Sequence, residues 1–327
     1  MRKPDFFIVG APKCGTTALY QYLRAHPDVY MPRKEFHHFG RDLRPEGYAG
    51  ERWDRAAYLA LFDGCTTERR CGEDSTWYLF SKTAAREIHA FNPDADVLIN
   101  LRDPVEMMYS LYALYVWFRE PTPYGVYDEA AGRLLSFEEA LDTQEARKEA
   151  YQNRIDEAAL AGQRVSRLFH TDAAMYAAQV ERYLDVFGPA HVHITFFDDL
   201  KRDAAGTYRA VLDFLGVDPT FQPEFRVHNS NRQVRSYALH RLLNDWDALG
   251  GLRRAARVLV PKRLRRGLVG AVLSANTRHQ PRPPMRPETR QRLQTHFRPD
   301  VERLGALLGE DLVARWFGTA EPAPLAP

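Results

Sequence analysis

The chain has 327 residues, 45% of them apolar and 27% charged, with 45 Lys and Arg against 43 Asp and Glu. That length and balance supply a real core for one large or two ordinary domains and exclude wholesale disorder. No apolar run approaches the roughly 18 residues of a membrane span; three cysteines (Cys14, Cys65, Cys71) are an odd number and too few for a disulfide framework, and without CxxC spacing or a completing His/Cys cluster they make no zinc site. They read as reduced thiols of a cytoplasmic protein.

The chain opens with a strand, Phe6-Phe7-Ile8-Val9, an apolar run too short for a secretion signal. A turn follows, Gly10-Ala11-Pro12-Lys13-Cys14-Gly15, and then a helix over Thr16 to Ala25 with Ala18, Leu19, Tyr22 and Leu23 at helical spacing. A second strand, Val97–Leu101, runs through Arg102-Asp103-Pro104 into a helix carrying Met107, Met108, Leu111, Tyr112 and Tyr115. A third, His191–Phe197, leads through a polar turn to a helix over Ala205 to Leu215. Strands alternating with helices predict an α/β fold, a mainly parallel sheet flanked by helices. Residues 119–170 form a polar insertion with helical pieces at Ser136–Leu141 and Arg147–Ala161, placed as a lid or acceptor-facing subdomain. The C-terminal region 237–319 is expected to be helical, with a last helix over Glu288–Leu308, and the Pro/Ala-rich tail 320–327 to be flexible.

Charge is unevenly spread. Residues 226–300 hold 17 Lys and Arg against 4 Asp and Glu, a net of +13 that leaves −11 for the rest of the chain. Such a basic segment suits an anionic partner: a nucleotide, a sulfated or phosphorylated polymer, nucleic acid or a membrane surface. Within it, residues 252–273 interleave arginine and lysine with Leu, Val and Ala, as in an amphipathic helix lying peripherally on an anionic membrane or packing its apolar side on the core.

The turn Gly10–Thr17 is the strongest chemical signal. A glycine-rich turn between strand and helix exposes backbone N–H groups where a phosphate is favoured. Its GxxxxG spacing is that of a nucleotide P-loop, yet Thr16 stands where the usual lysine would follow Gly15, and Lys13 lies inside the loop instead. The lysine-then-Ser/Thr pair that orders a Mg²⁺–triphosphate is therefore missing.

Together these segments resemble the sulfotransferases that use 3′-phosphoadenylyl sulfate. Pro12-Lys13-Cys14-Gly15-Thr16-Thr17 is similar to the family's 5′-phosphosulfate loop, and Leu101-Arg102-Asp103-Pro104 with Ser110 to its 3′-phosphate motif. Phe196-Phe197-Asp198-Asp199-Leu200-Lys201 resembles a segment whose aromatic lies near the adenine, with Phe197 in place of tyrosine. Asn229–Ser236 stands where the family closes a basic loop over the nucleotide, and Arg232 and Arg235 are its candidates, without the R-K-G pattern. Lys34-Glu35-Phe36-His37-His38-Phe39 is similar to the heparan-type enzymes' segment that carries a glutamate base. Glu35 is thereby implied as general base, with His37 or His38 as the alternative because other members use histidine. Gly72-Glu73-Asp74-Ser75-Thr76-Trp77-Tyr78 looks like the acceptor-cleft segment, with Asp74 where some polysaccharide-modifying members have lysine.

The resemblance implies one domain over 1–319 that moves a sulfuryl group to a hydroxyl or amine of a carbohydrate, glycolipid or other small-molecule acceptor, releasing adenosine 3′,5′-bisphosphate. Lys13 would stabilise the leaving group, the amides of Cys14 to Thr17 would hold the 5′-phosphate, and no metal or nucleic-acid partner is expected. Two other classes stay in view: a non-catalytic nucleotide or polyanion binder, and a P-loop kinase, which would want lysine after Gly15.

Overall fold

The computed structural model of the chain describes residues 2–43, 54–118, 126–128, 131–153, 169–226, 232–234, 277–279 and 282–318. Residues 252–273, Arg235, the tail 320–327 and much of the 119–170 insertion lie outside them, and Arg232 is described by its backbone alone.

In chain order the main elements are β1 (Phe6–Gly10), α1 (Thr16–Arg24), β2 (Val29–Tyr30), α2 (Arg55–Ala60), β3 (Arg70–Asp74), α3 (Ala84–Phe91), β4 (Asp96–Leu101) and α4 (Pro104–Phe118). A short hairpin, β5 (Tyr127–Asp128) and β6 (Arg133–Leu134), precedes α5 (Phe137–Asp142) and α6 (Gln144–Asn153). Then come α7 (Ala177–Phe187), β7 (Val192–Phe196), α8 (Phe197–Arg202), α9 (Ala204–Leu215), β8 (Arg232–Val234), β9 (Thr277–His279), α10 (Pro287–Leu308) and α11 (Leu312–Phe317). Packing divides the chain into two compact units, Met1–Arg226 with Met285–Pro327, and Val227–Pro284. The second is described through the antiparallel pair β8–β9, with Arg232 opposite His279.

The first unit is built on a five-stranded sheet in the order β2-β3-β1-β4-β7, every pairing parallel. The α/β fold expected from the alternation is the fold observed. All five residues of β1 are buried, which only a sheet covered on both sides allows. The two-residue period sorts them: Phe7 and Val9 join Val97, Ile99 and Leu101 in one core, while Phe6 and Ile8 join Leu98 in the other. The first core takes Ile88, Met107, Val180, Phe297 and Trp316 from helices α3, α4, α7, α10 and α11. The second takes Leu19 and Leu23 of α1 with Val211, Leu212 and Leu215 of α9. Each large side chain buried this way contributes about 1.5–3 kcal/mol.

Two boundaries differ from the sequence reading. The strand expected over His191–Phe197 closes at Phe196, and Phe197 opens α8 where a polar turn was expected. Asp198 and Asp199 in the first turn and Lys201 and Arg202 in the last complement the helix dipole, enough to hold six residues helical against the body. The insertion helix expected from Arg147 begins at Gln144. It follows α5, where Ser136 and Glu139 form a reciprocal capping box. Among the described residues no helix is long and apolar enough to cross a membrane.

Candidate active site

The chain lays β2 and β3 on one side of β1 and β4 and β7 on the other. The segments after β1, β3, β4 and β7 therefore leave the same, carboxyl edge of the sheet, beside the switch point where open α/β sheets bind ligands.

The turn after β1 delivers Gly15 as the N-cap of α1 with φ of 88°, and no side chain caps the helix. The amides of Thr16 and Thr17 belong to the first turn, which has no acceptor of its own, and so face outward for an anion. Glycine is required at 15 for a second reason: a Cβ there would come within 2.9 Å of both Phe197 and Leu200. Lys13, at φ of 64°, holds a backbone conformation that non-glycine residues seldom adopt. The Cys14 amide donates to the Ala11 carbonyl at 3.4 Å. Its thiol is buried 3.8 Å from the Tyr176 hydroxyl, and burial pushes the pKa up to about 12, so Cys14 serves the loop as backbone and packing rather than as a thiolate.

Arg102 closes this side of the site. Its Nη1 donates to the Lys13 carbonyl at 3.3 Å, its Nη2 lies 3.5 Å from Glu106, and its guanidinium sits 4.6 Å from the centre of the Phe197 ring. Lys13, Gly15, Arg102 and Phe197, spread over most of the chain, are thus brought together. Ser110, half-buried on α4, lies four residues beyond Glu106 and shares its helix face.

The segment after β2 supplies the other half. The Glu35 amide donates to the Asp74 carbonyl at 2.7 Å, which ties the segment to the end of β3. The Glu35 carboxylate accepts from His37 Nε2 at 2.9 Å and from the Thr76 hydroxyl at 3.1 Å, with 38% of the side chain exposed and so within reach of a ligand. Burial pushes its pKa up, but the hydrogen bond and charge of His37, the charge of Lys34 and the Thr76 hydroxyl outweigh that and hold it below the ordinary value. Glu35 is therefore ionised at neutral pH. Among the described residues the non-glycine residues with positive φ are Lys13, Glu35 and His37. Left-handed backbone costs about 1–2 kcal/mol per residue, and here it falls on three residues of one site, the usual pattern of strain held for function. His38 turns the other way and stacks on Tyr58 at 3.9 Å, so the adjacent histidines do not share the site.

Three residues gain importance that the sequence did not disclose. Lys34 Nζ donates to the Thr17 hydroxyl at 2.9 Å and pairs with Asp74 at 2.8 Å, joining the start of α1 to the segment after β2. Asp74 is fully buried, and desolvation, only partly offset by Lys34 and aggravated by Glu35, pushes its pKa up to about 7. Glu73 accepts from the hydroxyls of Tyr58, Tyr78 (2.7 Å) and Ser75 (2.8 Å). Ser75 and Tyr78 in turn accept from the amides of His37 at 3.0 Å and Phe39 at 3.2 Å. One buried carboxylate thereby fixes the backbone on which Glu35 and His37 stand. The nearest signal was the departure at Asp74; Lys34 and Glu73 stood inside the resembling segments with nothing local to assign them a role. Among the described residues no cluster of His, Cys, Asp and Glu is arranged to hold a metal ion.

Comparison with known proteins accords with this arrangement. Carbohydrate sulfotransferase 15 of Rattus norvegicus is 27% identical over 256 residues, covering 66% of this chain and 44% of the relative. Human heparan sulfate glucosamine 3-O-sulfotransferase 6 is 29% identical over 216 residues, covering 66% of this chain and 53% of the relative. The chain thus spans about half the length of these curated relatives. The crystal structure of a sulfotransferase from Alicyclobacillus acidocaldarius superposes with a TM-score of 0.66 at 30% identity, over 97% of this chain and 100% of that one. The profile of the sulfotransferase domain matches residues 3–305, and the chain belongs to that family.

Proposed function

We propose that the chain transfers a sulfuryl group from 3′-phosphoadenylyl sulfate to a hydroxyl, or an amine, of a carbohydrate or glycolipid acceptor, with Glu35 as general base. The observation that carries this reading is the Lys34 bridge. A base ionised at neutral pH is linked through its neighbour to Thr17 of the phosphate loop, 2.9 Å from Lys34 Nζ, so acceptor and donor halves meet at one point.

The donor supplies a sulfur already bonded to a good leaving group. The chain's residues bind, orient and move the proton. The amides of Thr16 and Thr17 hold the 5′-phosphate, Arg102 and Ser110 take the 3′-phosphate, and Phe197 offers an aromatic face beside them. Glu35 removes the acceptor's proton as the acceptor oxygen bonds sulfur and the sulfur–phosphate oxygen bond breaks. His37 holds the Glu35 carboxylate in place. Lys13 and the loop amides receive the charge that develops on the departing adenosine 3′,5′-bisphosphate, the preorganised electrostatics such a loose transition state needs. With those cations in place, turnover is expected to persist in EDTA.

The relatives' names support a carbohydrate acceptor. Three free, buried thiols suit a reducing, cytoplasmic setting. Replacement of Glu35 by Gln tests the assignment: turnover should fall about 10²–10⁴-fold while bisphosphate affinity, read by calorimetry, is unchanged. A nearly active Glu35→Gln beside a dead His37→Ala would move the base to His37.

A further inference from the structure

Glu106 is a carboxylate where the donor site needs positive charge. It shares a helix face with Ser110, and its Oε2 lies 3.5 Å from Arg102 Nη2. A 3′-phosphate held between Arg102 and Ser110 would meet a like charge there, and Arg102 would be divided between two anions. The other oxygen of Glu106 is occupied: Oε1 accepts from Arg290 Nη2, reaching across from the first turn of α10.

Arg290 is held in that position by its own helix. Beside it, Thr289 donates to Glu138 at 2.9 Å and Arg292 to Asp142 at 2.7 Å, which ties the start of α10 to α5. Leu293 and Phe297 anchor the next turns in the core. The charge of Arg290 also reaches Asp103, the other carboxylate at the start of α4; burial and Glu106 push Asp103 up to about 6, and Arg290 acts against them. Two guanidinium groups and one carboxylate thus form a row, with Arg290 at 37% side-chain exposure outside and Arg102 at 14% inside.

We infer that Arg290 is a positioning residue of the donor site, which holds and neutralises Glu106 so that the Arg102 guanidinium is left for the 3′-phosphate. The inference rests on the assignment of Arg102 and Ser110 to that phosphate. It makes α10 part of donor selectivity. Without Arg290, Glu106 turns to Arg102, and the loss appears only for nucleotides that carry a 3′-phosphate.

The test is calorimetric titration of the full chain with adenosine 3′,5′-bisphosphate and, separately, adenosine 5′-monophosphate. R290Q should weaken the bisphosphate about tenfold, the scale of one charge-assisted contact, and leave the monophosphate within about twofold. R290K should bind both as the wild type does. Removing the carboxylate as well should make Arg290 dispensable, so that E106Q/R290Q binds the bisphosphate as E106Q alone does. Equal effects of R290Q on the two nucleotides, no effect on either, or a double variant still impaired relative to E106Q would overturn the inference. The donor assignment is read separately: R102A should abolish the preference for the bisphosphate, and a preference that survives R102A would remove the ground beneath both.

Discussion

The donor and acceptor halves of the site are built from opposite materials. On the donor side, the first turn of α1, Lys13 and Arg102 present amides and cations, and Glu106 is masked by Arg290. On the acceptor side, three carboxylates are consecutive in space: Glu73 under three hydroxyls, Asp74 against Lys34, and Glu35 at the surface with His37. A phosphosulfate needs fixed positive charge and little adjustment. A proton acceptor needs a carboxylate kept ionised, and that requires neighbours that hold the proton-rich forms elsewhere. Glu35 is held low while burial holds Asp74 and Glu73 high, so the three divide the roles by environment.

If this contrast is right, the acceptor half should break most severely when its buried hub is removed. Replacing Glu73 by Ala leaves the hydroxyls of Tyr58, Tyr78 and Ser75 without their acceptor, at a cost of about 3 kcal/mol or more. Denaturant unfolding should show that loss, with Glu73→Gln losing less. The donor half is expected to break locally instead. Arg102→Ala should weaken the bisphosphate about tenfold or more, with thermal stability close to wild type. A variant that melts early would show Arg102 to be structural.

The smallest effect concerns Asp74 and pH. Its carboxyl titrates near 7 in the folded chain and near 3.9 when unfolded. Between those values the folded chain holds a proton that the unfolded one lacks, so stability falls as pH rises through this window. The depressed pKa of Glu35 acts only below about pH 4.3, its unfolded value. The unfolding free energy of the wild type relative to Asp74→Asn should therefore decline between about pH 5 and 7, and a flat difference would contradict the burial argument.

The same contrast explains what the sequence made legible. The donor loop is local: Gly10 to Thr17 contain the turn, the lysine and the first amides in eight residues, and Arg102 and Ser110 lie within one strand-to-helix passage. The parallel α/β sheet followed from the same alternation, whereas its order and the strands β2 and β3 did not show in the sequence pattern. The acceptor network joins residues about forty apart, such as His37 to Ser75, Phe39 to Tyr78 and Glu35 to Thr76, and no local pattern announces such pairs. Glu35 was visible only through its resemblance to a known segment. Lys34 lay inside the same segment without a role of its own, and its pairing with Asp74 gives that buried aspartate a partner. Phe197 was placed on a strand because its run of aromatics reads as one; the charges of Asp198, Asp199, Lys201 and Arg202 favour a helix start.

The central claim is that these two halves perform one transfer. It is tested most directly by mixing the chain with 3′-phosphoadenylyl sulfate labelled in the sulfuryl group and a panel of neutral and aminated sugars, glycolipids and phenols, with EDTA present. The account predicts label covalently on a sugar-bearing acceptor, one bisphosphate released for each group transferred, and loss of both in Glu35→Gln. Label that stays on the donor, or passes only to water, with every acceptor while the bisphosphate still binds would contradict it.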